Sequence, residues 1–179
     1  MPKKLSSNLI KKIKPIKLLI LDVDGVMTNG KIIYADDGKE TKLFDVKDGH
    51  GIKLLMRAGI DVAIITARES RVVLHRAKNL GIEMVYQKAM DKVAAFEDIA
   101  GKKQLSPNEA AYMGDELVDI PLLRRVGFAV AVRDAVADVK KYADYITQKN
   151  GGCGAVREIC ELILKTQGKW DEVTAKYFE

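Results

Sequence analysis

Two aspartates separated by one residue, Asp22 and Asp24, follow a short apolar run and are themselves followed by Gly25. If the run is a strand, alternation puts both carboxylates on one side. Carboxylates that close repel unless a cation lies between them or one keeps its proton. Gly25 lets the chain turn sharply and lets a ligand approach the backbone. Other reactive types follow similar runs: Thr66 with Ala67 and Arg68, then Lys92, then Gly114-Asp115-Glu116 with Asp119 four residues beyond Asp115. A hydroxyl and an ammonium suit a phosphate. Carboxylates and carbonyls suit a hard cation such as Mg²⁺, and a carboxylate can act as nucleophile by forming an aspartyl-phosphate. The set suits Mg²⁺-assisted phosphoryl transfer, provided the fold gathers these groups at one edge.

The apolar runs lie at 17–21, 62–65, 84–86, 110–113, 128–132 and 145–147. Between them, segments 52–58, 70–80, 92–102, 120–126, 136–142 and 155–166 carry apolar residues at three- and four-residue spacing, the helical period. Strand–helix alternation with continuously apolar strands predicts a parallel sheet covered on both faces. The expected fold is a doubly wound, Rossmann-like α/β domain. Ligands of such sheets sit at the carboxyl ends of strands, near the point where strand order reverses, and each group above falls just after a run. One segment breaks the alternation. Residues 31–34 and 40–44 flank Asp37-Gly38, a strong turn signal, and predict a β-hairpin at about residues 30–45.

The chain has 179 residues, 47% hydrophobic and 31% charged, which fits one folded domain and excludes global disorder or a fibrous repeat. Its formal charge of +5 raises nucleic-acid binding as a possibility. The first 17 residues, however, hold six lysines and no acid, leaving 24 basic against 25 acidic residues in the other 162. The body is neutral, so no nucleic-acid partner is expected. The expected division is a basic arm at 1–16 carrying a solvated helix, a catalytic domain at 17–167 and a disordered tail at 168–179. No apolar run is long enough to span a membrane, and no secretory leader is evident. The two cysteines, Cys153 and Cys160, make no disulfide framework. A cytoplasmic protein without membrane attachment is expected. His50 and His75 are not placed like metal ligands.

The motifs LDVDGV at 21–26, IITARES at 64–70, Lys92 within MDKVAAF, and MGDELVD at 113–119 resemble, in order, the four signature motifs of the haloacid dehalogenase (HAD) superfamily of phosphatases. Only 44 positions separate Asp22 from Thr66, and 26 separate Thr66 from Lys92, so neither interval holds a cap domain. The stretches FDVKDGHGI at 44–52 and GGCGAVREICELILKTQGK at 151–169, with the hairpin and ITAR, are similar to the capless branch acting on the 8-phosphate of 3-deoxy-D-manno-octulosonate (KDO), a lipopolysaccharide sugar.

This resemblance implies roles. Asp22 is the expected nucleophile. Asp24 is the expected acid for the leaving sugar oxygen and then the base for water. Thr66 and Lys92 meet the phosphoryl group, and Lys92 also pairs with Asp22. Asp22, the Asp24 carbonyl and Asp115 are the expected Mg²⁺ ligands. The substrate-side positions are Asp24, Asp45, Val46, Lys47, Asp48, Gly49, Lys53, Arg68, Arg76 and Lys92, with Arg68 set to meet the sugar-acid carboxylate. Related nonulosonate 9-phosphatases tend to carry glutamate where Arg68 stands, and Lys53 replaces an expected arginine. An enzyme for nonulosonate 9-phosphates or for general sugar phosphates is the alternative. Asp119 reads equally as support for the site or as the cap of a helix beginning Ile120-Pro121. A homotetramer is implied, its four hairpins packed together and its tails approaching neighbouring sites.

Overall fold

All six apolar runs are strands in the computed structural model, which describes residues 5–179. In chain order the elements are α1 (Ser7–Ile13), β1 (Leu18–Leu21), β2 (Ile33–Tyr34), β3 (Glu40–Thr41), α2 (Val46–Arg57), β4 (Asp61–Ile65), α3 (Arg71–Leu80), β5 (Met84–Tyr86), α4 (Lys92–Lys103), β6 (Ala110–Gly114), α5 (Ile120–Leu123), β7 (Phe128–Ala131), α6 (Ala137–Lys140), β8 (Tyr145–Ile146), α7 (Ala155–Thr166) and α8 (Trp170–Thr174). The main sheet has the order β5-β4-β1-β6-β7-β8, with every pairing parallel. All residues of β1, β6 and β7 are buried, which is why these strands read as unbroken apolar runs rather than alternating ones.

That strand order reverses direction at β1. The crevice between the carboxyl ends of β1 and β6 is therefore the switch point at which doubly wound sheets bind ligands. Register sets what faces it. Leu21 pairs with Met113, and Asp22 N–H donates to the Met113 carbonyl at 3.1 Å. The chain segments carrying Asp22 and Asp115 thus leave the sheet side by side.

The hairpin forms a separate two-stranded sheet, β2–β3, with only Ile33↔Thr41 and Tyr34↔Glu40 paired. It is shorter than the sequence predicts, and residues 31–39 are all exposed. Little in this chain buries its apolar residues, so nothing extends the ladder. Among the described residues no cap domain covers the sheet edge.

Three expectations need correction. Helix α2 starts six residues earlier than its periodicity suggested. Gly49 and Gly51 interrupt the apolar pattern, while Asp45 caps the helix by accepting from Lys47 N and Asp48 N at 2.6 and 3.3 Å. The supposed arm is docked over its described part. Ile13 and Ile16 are core residues, and Gln167 Nε2 donates to both of their carbonyls. Lys3 and Lys4 lie outside the described residues. The tail is folded: Val173 and Thr174 are buried, Arg57 Nη1 donates to the Val173 carbonyl at 3.0 Å, and Trp170 lies under Lys165 Nζ at 4.5 Å from its ring centroid. Among the described residues no helix is long and apolar enough to cross a membrane.

Candidate active site

Asp22 sits one residue past β1 and is buried. Lys92, the first residue of α4, reaches it at 2.6 Å. Asp91 prepares that approach by capping α4, accepting from Val93 N and Ala94 N at 3.0 Å each. Lys92 Nζ also meets Asp119 Oδ1 at 2.6 Å and the Tyr112 hydroxyl at 3.1 Å. An ammonium has three protons, and all three are taken. Tyr112 in turn donates to Asp119 Oδ1 at 2.6 Å, while Asp119 Oδ2 accepts from Asp115 N and Glu116 N at 2.8 and 3.0 Å.

Asp119 makes no side-chain cap to α5, so of its two expected roles the structure realises the supporting one. Tyr112 escapes sequence reasoning because it stands inside an apolar strand, where a tyrosine reads as core. Its burial pushes the phenol well up from its usual range, which keeps it a hydrogen-bond donor.

The electrostatics of this cluster are those of excess negative charge. Burial pushes Asp22 up to about 7, with the charges of Asp119 and Asp24 adding to it and Lys92 opposing. Burial, then Asp22 and Asp119, pushes Asp115 up to about 8. Burial works against the Lys92 charge, but Asp22 and Asp119 outweigh it and hold its pKa above the ordinary value. The site fits a divalent cation on its own geometry. Asp115 Oδ1 is buried and has no hydrogen-bond partner, an arrangement that is costly unless something else pairs it. Gly25, at φ +93°, brings the backbone so close that a Cβ there would lie 2.1 Å from Asp115 Oδ2. No group of three or more His, Cys, Asp and Glu side chains gathers as a metal cage among the described residues. A donor set of two carboxylates and a carbonyl is what a cation that keeps several waters requires, as Mg²⁺ does.

The turn after β1 is braced from the far end of the chain. Gly152 N donates to the Val26 carbonyl at 2.8 Å, and a Cβ on Gly151 would fall 1.6 Å from the Gly25 carbonyl oxygen. Only glycine permits this approach, which gives the glycine-rich 151–154 stretch a physical reason.

A second cluster joins the site to the hairpin. Asp24 pairs with Lys42 through Oδ1 and faces Arg68 Nε at 3.6 Å through Oδ2. Glu40 holds the pair together: Oε1 meets Lys42 Nζ at 3.2 Å and Arg68 Nη2 at 3.0 Å, and Oε2 accepts from Ser70 Oγ at 2.5 Å. Burial would raise the Glu40 carboxyl, but hydrogen bonds from Ser70, Lys42 and Arg68 hold it below its usual range. Thr66 is buried at the end of β4, where its hydroxyl oxygen accepts from Arg68 N at 3.4 Å and keeps its proton free to donate. Sequence reasoning found Asp24, Thr66 and Arg68 but missed Lys42, Glu40 and Ser70.

This geometry has close relatives. Residues 82–159 match a family described as haloacid dehalogenase-like hydrolase. Over 167 residues the chain is 46% identical to the 3-deoxy-D-manno-octulosonate 8-phosphate phosphatase KdsC of Escherichia coli K12, spanning 93% of this chain and 89% of that protein. The chain belongs to the KDO 8-phosphate phosphatase family. A crystal structure of the family's enzyme from Yersinia pestis matches with a TM-score of 0.92 at 44% identity, covering 93% of this chain and 90% of that one. The Moraxella catarrhalis KDO 8-phosphate phosphatase, crystallised with magnesium ion, phosphate ion and KDO, matches with a TM-score of 0.94 at 43% identity, covering 97% and 99%.

The remaining positions that family resemblance picked out in this phosphatase form a different group. Asp45 through Gly49 are the cap and first turn of α2. Val46 and Lys47 are exposed, as is Lys53 one and a half turns further on. Arg76 Nη2 donates to the Asp45 carbonyl at 3.0 Å, and its guanidinium lies over the Phe44 ring. Gly49 is buried against Arg76. Asp48 is engaged away from the acid cluster: it accepts from Arg157 N at 2.7 Å and Gly154 N at 3.3 Å, capping α7. No hydrogen bond or ion pair among the described residues joins this group to Asp22 or Asp115.

Proposed function

We propose that this chain hydrolyses 3-deoxy-D-manno-octulosonate 8-phosphate to the free sugar acid and inorganic phosphate, with Mg²⁺ as cofactor. The observation that carries the reading is that Asp22 and Asp115 follow adjacent strands at the sheet's switch point and act on each other's charge, with the buried Asp115 Oδ1 lacking a partner and Lys92 beside Asp22. Identity of 46% over nearly the whole chain supports the substrate. The enzyme is a phosphoric monoester hydrolase.

The residues act as follows. Asp22 attacks phosphorus, and the bond from phosphorus to the sugar oxygen breaks as Asp24 delivers a proton to that oxygen. Water then attacks the aspartyl-phosphate, gives its proton to Asp24 and returns Asp22 as a carboxylate. Thr66 Oγ1 donates to one phosphoryl oxygen. Lys92 exchanges part of its coordination to Asp22 or Asp119 for another. The cation would be held by Asp22, Asp115 and the Asp24 carbonyl, supplying the positive charge that lets a dianion approach two carboxylates. Arg68, with a side chain 40% exposed, offers its open face to the sugar carboxylate.

Residues Asp45, Val46, Lys47, Asp48, Gly49, Lys53 and Arg76 belong to this reading through the α2–α3 patch. A homotetramer is part of the same proposal. Ile32, Ile33, Tyr34, Leu43 and Val46 expose 41–81% of their surface along the hairpin and its exit, apolar residues suited to burial against other copies. Light scattering coupled to gel filtration reads the state directly, and a monomer at micromolar concentration would remove that part. We place the reaction in the cytoplasmic supply of KDO.

The test is phosphate release from KDO 8-phosphate, nonulosonate 9-phosphates and hexose phosphates. KDO 8-phosphate should give the highest kcat/KM. A nonulosonate 9-phosphate in first place would move the assignment to the alternative substrate while leaving the chemistry intact.

A further inference from the structure

The hairpin carries one residue that its surroundings do not explain. Thr41 and Leu43 are exposed, yet the side chain of Lys42 between them is 1% exposed. A lysine is rarely buried unless it is paired, because removing an ammonium from water is costly. Lys42 has two carboxylates for that purpose, Asp24 and Glu40, and Glu40 is itself locked by Ser70 and Arg68. The Lys42 end is therefore fixed from two sides and points at Asp24 Oδ1.

We infer that Lys42 is a positioning residue that holds Asp24 in the orientation required for proton transfer to and from the reacting oxygens. The inference rests on the assignment of Asp24 as the acid and base of the phosphatase reaction. Asp24 lies in a turn and is half-buried, and its carboxylate is met by Lys42 on one oxygen and Arg68 on the other. With Oδ1 accepting from Lys42, the oxygen left for chemistry is Oδ2, on the Arg68 side. In the first step Asp22 bonds to phosphorus, the phosphorus–sugar oxygen bond breaks with its electron pair going to oxygen, and the proton on Asp24 Oδ2 follows. In the second, water bonds to phosphorus, its proton returns to Oδ2 and Asp22 leaves. Substrate cannot reach Lys42 itself, since its side chain is buried behind Asp24 and Glu40.

The link through Glu40 adds substrate selection. Arg68 and Lys42 share the Glu40 Oε1 atom. The group that meets the sugar carboxylate and the group that aims the acid are thus fixed to one carboxylate on one hairpin. The hairpin is then part of the catalytic apparatus and not only an assembly element.

The test uses full-length enzyme with Mg²⁺, as wild type and as Lys42→Met, Lys42→Arg and Glu40→Gln. The substrates are KDO 8-phosphate, whose alkoxide leaving group needs a proton, and p-nitrophenyl phosphate, whose nitrophenolate does not. Lys42→Met should lose about 100-fold in kcat/KM on KDO 8-phosphate, a usual size for general acid catalysis, and less than about threefold on p-nitrophenyl phosphate. KM for the sugar phosphate should change little. Lys42→Arg should recover much of the loss. Glu40→Gln should show the same split between substrates at smaller size, and it keeps the test decisive if Lys42→Met folds poorly. Equal losses on both substrates, a loss confined to KM, or no loss in Lys42→Met would overturn the inference. A wild type that prefers another sugar phosphate would change only the substrate assignment, and the same leaving-group comparison would then be made with that ester.

Discussion

Replacing Asp119 by alanine separates a structural account of Lys92 from a coincidental one. The Asp119 carboxylate accepts four hydrogen bonds, from Lys92, Tyr112, Asp115 N and Glu116 N, and its side chain is 1% exposed while that of Lys92 is 4% exposed. Losing one partner of a buried pair costs about 3–5 kcal/mol, because the other charge stays buried. The four bonds share one carboxylate and do not add independently. Removing Asp119 also relieves the repulsion it exerts on Asp22 and Asp115. The low end, about 3 kcal/mol, is therefore expected. For a domain of this size that lowers the melting temperature by roughly 6–12 °C. Urea denaturation of metal-free protein at neutral pH measures the first quantity and calorimetry the second. Arg125→Ala is the control: its partner Glu97 is half exposed, and little change is expected. Activity should fall about 10–100-fold as Lys92 and the Asp115 backbone lose their anchor, the usual size for a supporting partner. An Asp119→Ala protein within about 1 kcal/mol of wild type, with activity retained, would refute the reasoning.

Further outcomes follow from the same geometry. Asp22 and Asp115 hold protons in the folded, metal-free protein up to about 7 and about 8, whereas the unfolded chain releases them near the ordinary carboxylate value. The native state binds more protons across that window, so metal-free stability should fall as pH rises from about 4 to about 8. Mg²⁺ should raise the melting temperature more at the alkaline end and release protons on binding, both readable by scanning calorimetry in two buffers. A melting temperature that climbs with pH in EDTA would contradict this. Deleting residues 169–179 should cost at least about 2 kcal/mol from Val173 alone, read by urea titration; an unchanged midpoint would mean the docked tail contributes nothing. Gly25→Ala should fold less stably and bind Mg²⁺ weakly by calorimetric titration, because its Cβ would overlap Asp115 Oδ2.

The parallel sheet was legible because strands buried on both faces are apolar throughout, and the helices because they carry their period. The acid pair, Thr66 and Lys92 were legible for a related reason: reactive types placed just after such runs must gather at one edge. Lys42 was not legible. It stands in an exposed hairpin among Glu40, Thr41 and Leu43, and only the three-dimensional approach of Asp24 distinguishes it from a solvated lysine. Tyr112 was hidden by the apolar strand that carries it. The contact of Asp48 with the start of α7 was not legible, because nothing in its neighbourhood announces a helix that begins more than a hundred residues later in the chain. Ile13, Ile16 and Val173 stand in short segments rich in charged residues, and local pattern does not reveal what surface they will cover.

The central claim is that Asp22 becomes phosphorylated while turning over KDO 8-phosphate. Its most direct test quenches the working enzyme in acid, reduces the acyl-phosphate with borohydride and maps the peptides by mass spectrometry. The account predicts homoserine at position 22, dependent on substrate. Homoserine at position 24, 115 or 119 instead, or no modification while phosphate is being released, would contradict it.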